Sequence, residues 1–371
     1  MNDALQKKLI IMDDLFPCLK TGFRVSEYNY YLNRYPNCEL YSNVYTTYIN
    51  EYAMVYPQYL NKIKPAEIFD YARKDYSLIY TVFINGILKY LNMIQATNTP
   101  FVFTLYPGGG FWLNDPMVDS KLSNVFQSPL FRKVIVTQKR TYEYLIDNRF
   151  VTPEKVEFIY GMVPHPEYFD QTIPKKFYKK GKTTFDICFV SHKYMSKGID
   201  KGYDVFIDVC KYLAIDTENI RFHVVGNYDD KDIDISDIRD KITFYGLQNM
   251  DFFREFYSRM DMIISPNSSF VLVPGKNFDG FPTGCCIDAL LNGVGLICTD
   301  DLNQNIEFEH QKDIVLITRD VKTIIDIVKY YYDSPEKLYE LSALGQLKAK
   351  KIFDFNMQVQ KRAAVIESAM K

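Results

Sequence analysis

Long apolar runs are missing from this 371-residue sequence. Nothing approaches the roughly 20 residues a helix needs to cross a bilayer. After the opening MNDALQKK, only Leu9-Ile10-Ile11-Met12 is apolar before Asp13-Asp14. That is too short for a signal peptide and carries no small-residue cleavage pattern. A basic excess is missing too. The formal net charge is −2, whereas a nucleic-acid binder normally carries a clear positive surplus. The seven Cys show no CxxC pairing and the four His are dispersed, which argues against a structural zinc site. An odd number of thiols set in apolar runs reads as small core residues in a reducing compartment. No repeat of solenoid period and no low-complexity segment occurs. The expectation is a cytoplasmic protein, at most peripheral at the inner face of a membrane.

What is present is an ordinary globular balance, 47% hydrophobic and 24% charged, over a length that suits two domains. The 30 Tyr and 27 Phe are an enrichment. Codon bias explains it most simply, although Tyr also suits sugar-binding surfaces through its ring face and hydroxyl.

Short apolar runs alternate with longer amphipathic stretches, the pattern of an α/β protein with parallel sheets. Strands are expected at residues 8–12, 78–83, 101–105, 133–137 and 155–159, then at 186–190, 221–225, 242–245, 262–265, 294–298 and 314–317. Helices are expected at 24–35, 86–95, 203–213, 250–260, 283–291 and 321–332, and through the tail from Pro335. The fold expected is two Rossmann-like doubly wound domains facing across a cleft. Residues 1–165 form the first, 166–350 the second, and 351–371 a helix returning to the first. The stretch 161–182, with its Pro and the cluster Lys175-Lys176, Lys179-Lys180 and Lys182, reads as a solvated linker, with a patch facing anionic lipid as the alternative.

Ligands in doubly wound sheets bind beyond the carboxyl ends of the strands, and four loops of the second half lie there. Ser191-His192-Lys193 runs on to Lys201-Gly202, basic residues before a helix start that can neutralise a diphosphate. An ordinary basic turn explains them equally well. Val225-Gly226 and Tyr245-Gly246-Leu247-Gln248 allow close backbone approach to a ligand, or are plain turns. The fourth loop, Lys276 to Asp288, joins Asp279-Gly280-Phe281-Pro282-Thr283-Gly284 to a helix expected to begin at Pro282 or Thr283. Its first N–H groups can hold a phosphate. Asp279 can accept sugar hydroxyls and Asp288 the ribose hydroxyls; the plainer alternative makes Asp279 a helix cap and Asp288 a solvated position.

Taken in order, Lys201-Gly202, Val225-Gly226, Phe244-Tyr245-Gly246, Ser265-Pro266-Asn267, Asp279-Gly280-Phe281-Pro282 and Gly293 to Asp300 resemble the motifs of the retaining GT-B glycosyltransferases of family 4. The resemblance is close over residues 186–300 and looser elsewhere. It implies a nucleotide-diphosphate-sugar donor, no cofactor and no metal. It further implies that His192 or Lys193 and Lys201 contact the diphosphate, Asp279 the donor sugar and Asp288 the ribose. N–H groups from Phe281 to Gly284 complete the phosphate site, and Asp279 and Lys201 carry the catalytic weight. In the first domain it places Gly22, of Leu19-Lys20-Thr21-Gly22-Phe23-Arg24, near the donor phosphates. Tyr106-Pro107-Gly108-Gly109-Gly110 then shapes the acceptor side. The sequence departs from the family at three points. The two acids are Asp and nine positions apart instead of eight, His192 or Lys193 replaces an Arg, and no His stands near Tyr106-Pro107.

The expected reaction moves the sugar to a hydroxyl of a saccharide, lipid-linked saccharide or protein, with retention of configuration. The rivals are a non-catalytic partner subunit, a nucleotide-sugar 2-epimerase on the same fold, and a metal-dependent transferase using Asp232-Ile233-Asp234.

Overall fold

The computed structural model describes residues 7–170 and 173–370, so residues 1–6, 171–172 and Lys371 of the readings above lie outside the described residues. The chain divides into two compact units. One holds the described residues up to His165 together with the last helix; the other spans Pro166–Asp354.

The first unit contains β1 (Leu9–Asp13), α1 (Gly22–Arg34), β2 (Glu39–Ser42), α2 (Tyr45–Val55), β3 (Ile63–Pro65), β4 (Leu78–Val82) and α3 (Ile84–Thr97). It continues through β5 (Phe101–Leu105), α4 (Pro116–Phe126), β6 (Phe131–Val136), α5 (Lys139–Asp147) and β7 (Val156–Phe158). All pairings in its sheet are parallel, in the order β3-β2-β1-β4-β5-β6-β7. Strands β1, β4 and β5 are buried at every position, which is why they read as unbroken apolar runs: helices cover both faces of such a sheet.

The second unit opens with a two-residue pair, β8 (Phe177–Tyr178) and β9 (Gly181–Lys182), followed by β10 (Phe185–Val190), α6 (Tyr203–Asp216), β11 (Ile220–Val225) and β12 (Ile242–Phe244). Then come α7 (Met250–Arg259), β13 (Met262–Ser265), α8 (Gly284–Leu291), β14 (Gly295–Thr299), β15 (Val315–Ile317), α9 (Val321–Asp333) and α10 (Pro335–Ile352). Its sheet is parallel in the order β12-β11-β10-β13-β14-β15. The strand order therefore reverses between β10 and β13, as it does between β1 and β4 in the first sheet. At such a reversal the loops leave in opposite directions and open a crevice at the strand ends.

The tail from Pro335 is helical in two pieces: α10 stops at Ile352, and α11 (Phe355–Ala369) belongs to the first unit. One expectation is corrected: the lysines of 161–182 are not all solvated. Lys175 Nζ donates to Tyr257 O at 2.6 Å and to Met260 O, capping the C-terminal end of α7. Lys182 pairs with Asp186 and Asp261. Among the described residues, no helix is long and apolar enough to cross a membrane.

Candidate functional site

In the second unit the loops leaving β10 and β13 meet at the strand-order reversal. Lys201 Nζ donates to Asp279 Oδ2 at 2.5 Å. Burial works against the Lys201 charge, but Asp279, with Tyr194 and Asp200, outweighs it and raises the pKa. Asn267 Nδ2 reaches the same Asp279 oxygen at 3.3 Å. Below them Asp200 is buried, with Oδ1 lacking a hydrogen-bond partner among the described residues. Burial pushes its carboxyl up, opposed by Lys201.

The loops are locked by backbone contacts that the sequence encodes. Gly202 has φ 77°, and a Cβ there would lie 2.1 Å from Pro266 O, so only glycine lets the two loops touch. At Gly226, φ 142°, a Cβ would fall 1.9 Å from Ser191 O. Arg319 fastens the arrangement from below, its Nη1 donating to Ile199 O at 3.0 Å and Pro266 O at 2.9 Å. Its Nη2 bonds both carboxyl oxygens of Asp204 at 3.0 Å.

A pocket opens beside this pair, lined by Ser265, Asn267, Asp279, Gly280, Phe281, Pro282, Thr283, Thr299, Asp300, Asp301 and Gln304 among others. Helix α8 begins at Gly284 with Thr283 at its N-cap and no side-chain cap. That leaves first-turn N–H groups for an anion. Asp279 does not cap this helix; its carboxylate is engaged by Lys201 and Asn267. Asp288 lies further along α8, and its Oδ1 is buried without a hydrogen-bond partner among the described residues. Burial, with Cys285 adding to it, holds its pKa well above the ordinary 3.8. The residue as a whole is half-buried, but a carboxyl oxygen buried with no internal donor is costly unless something else supplies one.

The other expected residues are placed as follows. Lys193 Nζ is held by Asp232 at 2.7 and 3.0 Å, and the exposed His192 accepts on its main-chain oxygen from Tyr228 at 3.3 Å. Partial burial of the ring, and then the charge of Lys201, disfavour a protonated His192. Tyr245 N–H donates to Val224 O at 2.9 Å, and its carbonyl accepts Gln248 Nε2 at 2.5 Å. Its hydroxyl meets His223 Nδ1 at 2.9 Å. Leu247, 41% exposed, is then the open residue of that turn.

In the first unit Gly22 opens α1 beyond β1. Two residues on, Arg24 Nε donates to Asp13 Oδ2 at 3.0 Å. Tyr106 is only 8% exposed, its hydroxyl 3.5 Å from Glu27 Oε2. Glu27 also receives Tyr31 and Tyr80, and burial pushes its pKa up against the opposing charge of Arg362. The ring of Tyr106 thus serves the interior. What stands open beyond β5 is the turn closed by Phe111 N–H to Gly108 O at 3.0 Å and Asn85 N–H to Gly109 O at 3.1 Å, with Gly110 packed on Asn85.

Sequence reasoning passed over Arg319, Asp301 and Gln304. Only their position just beyond β14 and β15, at the carboxyl edge of the sheet, signals them.

The two parallel, doubly wound sheets define the fold of the GT-B glycosyltransferases. Among solved structures the chain is similar to HepE of Anabaena in complex with UDP-glucose, at TM-score 0.71 and 14% identity, over 97% of this chain and 99% of that one. It is also similar to a glycosyltransferase from Rickettsia africae, at TM-score 0.71, 13% identity and 99% of each chain. A third is the sucrose-phosphate synthase of Thermosynechococcus elongatus, at TM-score 0.65, 12% identity, 98% of this chain and 99% of that one. No protein-family model and no curated protein matches the sequence.

Proposed function

We propose that this chain is a glycosyltransferase of the family 4 type, taking a sugar from a nucleotide diphosphate sugar to a hydroxyl of a saccharide, lipid-linked saccharide or protein. The observation that carries the reading is the Lys201–Asp279 pair at the strand-order reversal, next to the uncapped start of α8. A diphosphate there meets one ammonium and several N–H groups, fixed before the reaction and able to stabilise the charge that builds as it departs. Asp279 accepts donor-sugar hydroxyls, and Asp288 accepts ribose hydroxyls that supply its missing donor. The acceptor oxygen attacks on the face from which the diphosphate leaves. The anomeric C–O bond to phosphate breaks as the new one forms, and the hydroxyl proton passes to the departing phosphate, retaining configuration.

A metal-independent route is supported by the acids of the rival motif being engaged otherwise. Asp232 holds Lys193, and Asp234 accepts Ser236 N–H at 3.0 Å. The UDP-glucose bound by HepE supports a uridine donor, and we place the protein in the cytoplasm. The test is release of nucleoside diphosphate from its sugar conjugate with chelator present. The wild type should release it, and Asp279→Ala should slow release by about 100-fold or more. Undiminished turnover in that variant would sink the assignment.

A further inference from the structure

Gln304 is 4% exposed and faces the pocket together with Asn267, Asp279, Thr299 and Asp300. Its Nε2 donates to Asp279 O at 2.9 Å, whereas its Oε1 is buried with no hydrogen-bond partner among the described residues. The amide cannot be turned over, because Oε1 would then oppose the Asp279 carbonyl, acceptor against acceptor. A buried amide oxygen left in this way calls for a donor from outside the chain.

The surroundings offer it none. Asp300 spends its two oxygens on the N–H groups of Gln304, at 2.8 Å, and Asn305, at 2.9 Å. Asp301 accepts Ser269 N–H at 3.0 Å. Three carboxylates, at 279, 300 and 301, therefore border the pocket, and Lys201 answers only the first. Such a wall of acceptors suits a ligand that brings hydroxyl donors and opposes one that brings a further carboxylate.

We propose that Gln304 is a specificity-determining residue of a donor-sugar subsite that takes an uncharged hexose and rejects uronic acids. Nε2 holds the main chain at Asp279, and Oε1 accepts a sugar hydroxyl. The inference rests on the donor-site reading above and adds the class of sugar.

Isothermal titration of the full chain with UDP, GDP and ADP, each bare and as its glucose conjugate, tests it. For whichever nucleotide binds, Gln304→Ala should leave the bare nucleotide within about twofold and weaken the glucose conjugate about tenfold. The wild type should bind the uronate conjugate at least about tenfold more weakly than the glucose conjugate. Gln304→Met keeps nearly the same volume, removes the acceptor, and should show the same selective loss if the truncated variant fails to fold. Equal weakening of bare nucleotide and conjugate, or a uronate bound as tightly as glucose, would overturn this inference and leave the donor-site reading standing. Absence of binding by all three nucleotides would overturn both.

Discussion

Asp279 and Asp288 share one loop-to-helix segment, yet their surroundings give them opposite characters. Asp279 has a cation at 2.5 Å and remains open to the pocket. Asp288 has no internal donor for Oδ1, and burial raises its pKa. A carboxyl whose folded pKa lies above its unfolded one favours folding less as pH rises through that interval, because the unfolded chain releases the proton first. Asp288→Asn should therefore stabilise the ligand-free protein at neutral pH by about 1–2 kcal/mol. The gain should shrink towards pH 4 in thermal melts. The same change should weaken nucleotide binding about tenfold. The two acids were legible in the sequence as a pair. Their difference was not, since it depends on how deeply α8 is packed.

Element by element, legibility followed the apolar pattern of the sequence more than burial. Strands β1, β4, β5, β10 and β14, buried at every position, left continuous apolar runs and were readable within a residue or two. Strands β2 and β3 were not, because Glu39-Leu40-Tyr41-Ser42 and Ile63-Lys64-Pro65 are too short and too polar to show a period. The break between α10 and α11, where Phe353 is fully buried, falls within a few residues of the boundary expected at 350/351. The loops after β10 and β13 were read as ligand loops, but their mutual lock was not visible in the sequence. Gly202→Ala tests that lock. A Cβ at 2.1 Å from Pro266 O in a left-handed backbone should cost about 2–3 kcal/mol in chemical denaturation, with nucleotide affinity falling as Lys201 shifts. A variant as stable as wild type would show that the loops are free to separate.

At the base of β10, Asp186 is a carboxyl held charged by its neighbours. Burial opposes its charge, yet His223 Nε2 at 2.8 Å together with Lys182 and Thr184 brings its pKa down to about 2. With the folded value below the ordinary 3.8, its stabilisation is present above pH 4 and is lost as pH falls towards 2. Asp186→Asn should flatten that part of the acid-unfolding profile, removing roughly 2 kcal/mol of stability at neutral pH. An unchanged profile would mean that other carboxyls govern acid unfolding.

For the whole molecule, two sheets with the same central reversal of strand order hold the fold at only 14% identity to HepE. A sheet core asks for apolar pattern and volume more than for particular residues, so the architecture could be read where the individual roles could not. The proposed function rests on the few groups gathered at the β10–β13 reversal. The claim that these groups form a nucleotide-sugar donor site is tested most directly by thermal shift with UDP, GDP and ADP on wild type, Lys201→Met and Asp288→Asn. One nucleotide at about 100 times its Kd should stabilise the wild type by about 2.7 kcal/mol, a rise of several degrees in Tm, and both variants should respond less. If none of the three moves the wild-type Tm, or the variants shift as far as the wild type, the donor site is not where this account puts it.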